Sequence, residues 1–366
     1  MAAYTDALCR EIAVQGTLLR EKSGVKAADK ATGGPFIWPV EGAATVYVGG
    51  GTPTALPLAQ LEQILEALKT HLPVADAAEF TMEANPGTVS DGQLARLRAL
   101  GVNRLSFGVQ SFQDALLRRI GRIHTGRQAV EAVEAARAAG FSNISVDLMY
   151  GLPGQTMSDL QASVAQAAAL SVQHISIYGL QLEEGTAFAR QQAMGTLSLP
   201  SEELTEQMYD YMTEALPQYG YARYEISNFA QPGFASRHNL GYWQDVPYLG
   251  LGAAAHGYWQ GRRTENRTAI DAYIEAVQAG VSPATEEEPP TRAIAMEEFA
   301  FLALRTVRGM DRQAFQTKFG CSFASVYASV TQELLQKGLL ETDGDYVRLT
   351  GRGMKYGNTV FAEFLL

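Results

Sequence analysis

From residue 45 to residue 181, short apolar runs alternate with longer stretches whose apolar positions recur every three or four residues. The short runs predict strands at 45–50, 79–84, 103–110, 144–150 and 174–181. The longer stretches predict helices at 57–71, 90–100, 114–121, 125–139 and 156–170. This alternation is the pattern of an α/β fold with a parallel sheet and right-handed crossovers. Ahead of it, Tyr4, Leu8, Ile12 and Leu19 share one face of an amphipathic helix over 3–22, and a Gly/Ala/Lys loop follows over 23–43. Beyond it, a helix over 201–219 leads to an alternating stretch at 221–229 read as one more strand. A region dense in glycine and aromatics spans 231–262, and a helix spans 268–279. The acidic, proline-bearing stretch 282–290 marks a domain boundary, giving a large domain over 1–285 and a small one over 286–366. In the small domain, two or three helices precede a hairpin at 338–349 with an Asp-Gly turn, the layout of a winged-helix-like module.

Successive strand residues point to opposite faces, so each strand divides by parity. Phe80 and Met82 oppose Thr81 and Glu83. Leu105, Phe107 and Val109 oppose Ser106, Gly108 and Gln110, and Ile144, Val146 and Leu148 oppose Ser145, Asp147 and Met149. One face is apolar throughout; the other carries hydroxyls, an amide and two carboxylates. Closed barrels fill their interior with Val, Ile and Leu, so this pattern predicts a curved sheet whose concave face is a polar chamber. The first strand runs into Gly49-Gly50-Gly51-Thr52-Pro53, where backbone N–H groups can approach a ligand closely; taken alone, the stretch reads equally well as a tight turn.

The 366 residues carry a net charge of −10, and no Lys/Arg stripe is evident. From residue 286 onward 11 acidic residues stand against 9 basic ones, so neither the chain nor its winged-helix-like module is expected to bind nucleic acid. No apolar run reaches the ~20 residues of a membrane span, which predicts a cytoplasmic protein and leaves open peripheral membrane contact. Cys9 and Cys321 are the only cysteines, too few and too far apart for a thiolate-rich metal site.

Several residues are candidates for chemistry. Glu83 and Gln110 sit at strand ends on the polar face, and Asp147 lies mid-strand on that face, where an unpartnered carboxylate is costly to bury. A helix cap or a structural amide is the plainer reading of the first two. Arg122, between two helices, could form a bidentate pair with a carboxylate or simply lie on the surface. His124 and His256 read as structural. His238, in His238-Asn239-Leu240-Gly241-Tyr242-Trp243, is an imidazole in an expected loop with flat aromatic surface close by, suited to an axially held porphyrin, although a packed histidine is commoner.

Gly49-Gly50-Gly51-Thr52-Pro53, Glu83-Ala84-Asn85-Pro86, Gly108-Val109-Gln110-Ser111-Phe112, Gly121-Arg122-Ile123-His124 and Asp147-Leu148-Met149-Tyr150-Gly151-Leu152-Pro153-Gly154, in that order, resemble the radical S-adenosylmethionine (SAM) family of oxygen-independent coproporphyrinogen III oxidase and its relatives. His238-Asn239-Leu240-Gly241-Tyr242-Trp243 resembles the signature of the heme-chaperone branch of that family. The resemblance implies a partial (β/α)6 TIM-like barrel, here without its first strand, plus the C-terminal module. It implies that Gly50, Gly51 and Thr52 hold the amino end of SAM near Glu83, that Arg122 pairs with the SAM carboxylate, and that Gln110 and Asp147 take the ribose hydroxyls. His238 becomes the candidate heme ligand, and the implied function is delivery of heme to an acceptor protein. The alternatives are coproporphyrinogen III oxidation and, outside the family, a sugar-phosphate barrel enzyme using the glycines as a phosphate nest. The family also implies a [4Fe-4S] cluster held by Cys-x-x-x-Cys-x-x-Cys, a segment this sequence lacks. The expectation is that Met1 is an internal methionine of a longer product; a shortened relative that kept ligand binding is the other reading.

Overall fold

The computed structural model describes residues 1–23 and 41–365, so most of the loop expected at 23–43 lies outside the described residues. The five apolar runs become β1 (Ala43–Val48), β2 (Val74–Ala84), β3 (Arg104–Gln110), β4 (Ile144–Tyr150) and β5 (His174–Gly179). The strands from β2 to β5 pair in parallel. The stretch 221–229 is not the single strand its alternation suggests. It is a tight hairpin of β6 (Ala222–Arg223) and β7 (Asn228–Ala230), with β7 antiparallel to β5. Glu225 explains the break: its buried carboxylate accepts from Ser227 N at 3.2 Å and from the Asn228 amide, pulling the chain into a turn. The sheet order is β1-β2-β3-β4-β5-β7-β6.

The apolar parity set is buried as expected: Phe80, Met82, Leu105, Phe107, Val109, Ile144, Val146, Leu148, Ile175 and Ile177. Intervening helices Asp91–Ala99, Gly126–Ala138 and Met157–Ala169 contribute Leu94, Leu97, Val133, Ala136, Leu160 and Val164 to the core. Each such Leu or Val stabilises the fold by about 1.5–3 kcal/mol relative to an exposed one. Ser90, Thr125 and Thr156 cap these helices, the last two in capping boxes with Gln128 and Asp159, which fixes where each helix starts below the sheet.

The described chain divides into two compact units. One comprises Val48–Ala55 and Phe80–Ser236; the other comprises Met1–Tyr47, Leu56–Glu79 and Arg237–Leu366. In the latter, β8 (His256–Trp259), β9 (Arg262–Asn266) and β10 (Ala284–Glu286) form an antiparallel sheet, so part of the stretch read as a linker is an edge strand. The N-terminal helix Ala2–Ser23 is tied to this sheet by Glu11. Its buried carboxylate accepts from Gly252 N at 2.8 Å, Asn266 Nδ2 at 2.8 Å and Tyr273 Oη at 2.6 Å. The module after residue 290 has helices Arg292–Leu304, Arg312–Phe319 and Phe323–Gln336. They precede β12 (Leu340–Asp343) and β13 (Tyr346–Leu349), with β11 (Met310–Asp311) on the far side of β13. Phe315, Phe319, Phe323, Tyr327 and Phe364 pack edge-on or tilted at its centre. The winged-helix-like expectation matches this order.

Candidate functional site

The glycine stretch leaves β1 with Gly50 at φ +85° and Gly51 at φ +89°, a left-handed conformation that side chains rarely adopt. A Cβ at either position would meet nothing within 4 Å, so the two peptides border open space. Gly50 N donates to Glu83 Oε2 at 3.2 Å, which places the carboxylate at the lip of the loop. Thr52 Oγ1 accepts from Asn85 Nδ2 at 2.9 Å, and Asn85 Oδ1 accepts from Arg122 Nη1 at 2.9 Å. Asn85 thus joins the cradle to the guanidinium. Thr54 and Thr88 close the loop behind them through hydroxyls 2.7 Å apart.

Gly108 lies under this group. A Cβ there would be 3.1 Å from Asn85 Oδ1, 3.2 Å from Gln110 Nε2 and 3.7 Å from an Arg122 nitrogen. A side chain there would crowd the first two groups, so glycine leaves room for the three to converge. Gln110 reaches the polar face by an irregular route. The β3–β4 register shifts between Gly108 and Gln110, and Gln110 takes φ +66°, folding its amide back over Gly108.

Asp147, paired with Gly108 in register, accepts from Ser106 Oγ at 3.3 Å and is hydrogen-bonded to Ser176. Burial raises its pKa to about 6; the serine hydrogen bonds and Arg104 act against the shift, while Glu83 adds to it. Burial lowers the pKa of Arg122 from its usual value, opposed by the charge of Asp147. His124 is buried, with its Nε2 3.2 Å from Val109 O, and burial lowers its pKa; it is the structural histidine expected.

Gly50, Gly51, Thr52, Glu83, Gln110, Arg122 and Asp147 therefore all lie in one unit, on or beside one polar face. Their arrangement suits a zwitterionic ligand bearing hydroxyls: a carboxylate at the lip for an ammonium group, a guanidinium for a carboxylate, and a half-buried carboxylate for vicinal hydroxyls. Sequence reading missed the roles of Asn85 and Gly108, although both stood in the quoted motifs. The signal was available in Gly108, a side-chain-free position of polar parity.

His238 belongs to the other unit and is not in a loop. It sits in the first turn of a short helix, Arg237–Trp243. The buried carboxylate of Glu79 caps this helix, accepting from Arg237 N and His238 N at 3.1 Å each, which explains why so glycine- and aromatic-rich a stretch winds up at all. The His238 ring stacks on Tyr47, with centroids 4.9 Å apart at 18°, and its Nδ1 lies 2.9 Å from Thr45 Oγ1. Its Nε2 lies 2.8 Å from the hydroxyl of Tyr242, one helical turn on. Tyr242 packs edge-on against Tyr248, and Arg305 lies 4.5 Å over the ring of Trp243. Both imidazole nitrogens are hydrogen-bonded in this arrangement, so iron ligation would displace the Thr45 or the Tyr242 hydroxyl.

Cys9, on the N-terminal helix, contacts Gln63 O, and Cys321 contacts Arg292. Among the described residues, no group of three or more His, Cys, Asp or Glu is placed to hold a metal ion. The residues present do not fit a [4Fe-4S] cluster, which needs at least three thiolates. No helix among the described residues is long and apolar enough to cross a membrane.

The Radical SAM superfamily model matches residues 39–167, and the HemN C-terminal domain matches residues 291–356. The heme chaperone HemW of Lactococcus lactis is 42% identical over 89% of this chain and 86% of that protein. The Bacillus subtilis HemW is 41% identical over 88% of this chain and 85% of its own, and the Escherichia coli HemW is 32% identical over 88% and 84%. Among solved structures, the coproporphyrinogen III oxidase HemN of Escherichia coli superposes with a TM-score of 0.82 at 23% identity. That match covers 99% of this chain and 82% of the other, a likeness of fold. With the radical SAM fold and the His238–Trp243 helix in place, these identities show that the chain belongs to the HemW family of radical SAM proteins.

Proposed function

We propose that this protein is a heme chaperone that binds SAM and heme and delivers heme to an acceptor protein. The observation that carries the SAM reading is the linked set Gly50–Glu83 and Thr52–Asn85–Arg122 around an open, left-handed glycine loop. In it, Gly50, Gly51 and Thr52 with Glu83 hold the amino end of SAM, Arg122 its carboxylate, and Gln110 and Asp147 the ribose hydroxyls. SAM bound there would supply a sulfonium and an adenosyl group; the chain's own residues orient its charged end. No step is routed through an iron–sulfur cluster, whose thiolate ligands these residues do not provide. The large domain over 1–285 carries both sites in this reading, and the module over 286–366 flanks the His238 helix through Arg305 and Trp243.

The cargo reading rests on the family and on the aromatic setting of His238, and it makes His238 the iron ligand. Hemin titration followed at the Soret band tests it. His238→Ala should weaken binding at least tenfold, and an unchanged titration removes His238 as ligand. Calorimetric titration with SAM tests the cradle, and loss of SAM binding in Glu83→Ala and Arg122→Ala is the expected result. Incubating the same preparation with coproporphyrinogen III tests the rival activity, which predicts SAM turnover dependent on that substrate.

A further inference from the structure

We propose that the polar face of the sheet carries a second, carboxylate-selective site centred on Arg104, separate from the cradle and made by Arg104 and Thr81. Arg104 opens β3 and is only 2% exposed, yet its Nε has no hydrogen-bond partner. Among the described residues, no side-chain hydrogen bond or close ion pair joins its guanidinium, although its charge acts on Asp147 and His174 at longer range. Thr81 stands directly opposite it in the β2–β3 register, is fully buried, and its hydroxyl is also without a partner. A guanidinium buried for structural reasons alone would be expected to fork onto a carboxylate, because an uncompensated buried charge is strongly unfavourable.

The neighbouring acceptors are engaged elsewhere. Asp147 and Glu225 both lie on this side of the molecule, but Asp147 accepts from Ser106 and Ser176, and Glu225 from Ser227 N and the Asn228 amide. His174, fully buried, has Nδ1 2.7 Å from Ser145 Oγ and Nε2 2.8 Å from Tyr224 Oη, so neither nitrogen is open to the cation. Burial, reinforced by the charge of Arg104, keeps that imidazole neutral, and burial keeps the Tyr224 phenol protonated. Backbone, amide and hydroxyl donors thus hold these acceptors, and the negative charge of Asp147 acts on Arg104 without a hydrogen bond between them. The result is a guanidinium fork with an unpartnered hydroxyl on the paired residue of the next strand, the donor set that suits a planar carboxylate. SAM has a carboxylate of its own, which Arg122 is proposed to take, so the test must separate the two cations.

The probe is [1-13C]acetate, titrated into the full chain against chloride at matched ionic strength. Carbon line broadening and the shift in melting temperature are read for wild type, Arg104→Met, Thr81→Val and Arg122→Gln. The site predicts saturable acetate binding and thermal protection in wild type and in Arg122→Gln, no binding in Arg104→Met, and binding weakened about tenfold in Thr81→Val. Absence of saturable binding in wild type overturns it. So does binding that survives Arg104→Met, or binding that disappears only in Arg122→Gln. Should Arg104→Met fail to fold, Arg104→Lys keeps the charge and removes the fork: at least tenfold weaker acetate binding supports the site, and anything less overturns it. Loss of SAM binding would not touch this result, and loss of acetate binding would leave the cradle standing.

Discussion

Asn85 is the residue on which the cradle's geometry turns, and two substitutions there give opposite signatures. Asn85→Ala removes the donor to Thr52 and the acceptor for Arg122, both at 2.9 Å. A neutral hydrogen bond contributes about 1 kcal/mol and one to a charged group about 1.5–3 kcal/mol. Partial rehydration of this half-buried position returns some of that, so a loss of about 1–2 kcal/mol in stability is expected. For a domain of this size that lowers the melting temperature by a few degrees. The freed Arg122 samples more rotamers, so SAM should bind about tenfold more weakly. Asn85→Asp keeps the acceptor and makes it anionic. Stability is then unchanged or higher, because Arg122 gains an ion pair, but the guanidinium is neutralised where the SAM carboxylate should sit. Affinity should fall further than in the alanine variant although the protein melts no earlier. Calorimetric titration of SAM with thermal melting of the three proteins reads both quantities. Equal SAM affinity in wild type and Asn85→Asp would refute the claim that Arg122 is held in readiness for a carboxylate.

Three further outcomes follow from the same geometry. If Asp147, whose pKa is raised to about 6 from 3.8, takes the ribose hydroxyls, its ionised form accepts more strongly than the acid, so SAM affinity should rise with pH through about 6. Asp147→Asn should flatten that profile in titrations across about pH 5 to 7.5. The sign for folding is reversed: the native state holds this proton more tightly than the unfolded chain, so the group's contribution to stability falls as pH rises from about 4 to 6. Glu11→Ala leaves the Gly252, Asn266 and Tyr273 donors buried without their acceptor and should lower stability by about 3 kcal/mol or more in chemical denaturation. Tyr242→Phe frees His238 Nε2 from its hydroxyl while keeping the ring. If His238 ligates iron, this variant should bind hemin more tightly than wild type in the Soret titration, and weaker binding would point to the hydroxyl as a cargo contact.

Side-chain parity is a local property, so the polar face was legible from Thr81 to Asp147 and the apolar face from Phe80 to Leu148. Where backbone geometry departs from regularity, parity stops working. Gln110 arrived on the expected side only through a bulge and a left-handed φ. The stretch 221–229 alternates like a strand, but Glu225 turns it back on itself, and nothing in the alternation records that hydrogen bonding. Nothing near Arg237–Trp243 in the sequence marks a helix, because its cap, Glu79, lies about 160 residues earlier in the chain. Glu11 met its three donors across an even longer separation. Motif order located the cradle, whereas the partners that hold it, Asn85 above all, emerged only once Thr52 and Arg122 were seen on either side of the same amide.

The double engagement of His238 has a consequence for release. A carrier is judged by how readily it parts with its cargo as well as by how well it captures it. If His238 ligates iron as proposed, its imidazole would return to a hydrogen bond when iron leaves, so the Thr45 or Tyr242 hydroxyl would compete with the cargo. One such bond, at about 1 kcal/mol, would shift the binding equilibrium toward release about fivefold relative to a histidine without it. Tyr47, stacked on the ring, would give the returning imidazole a flat surface to settle against.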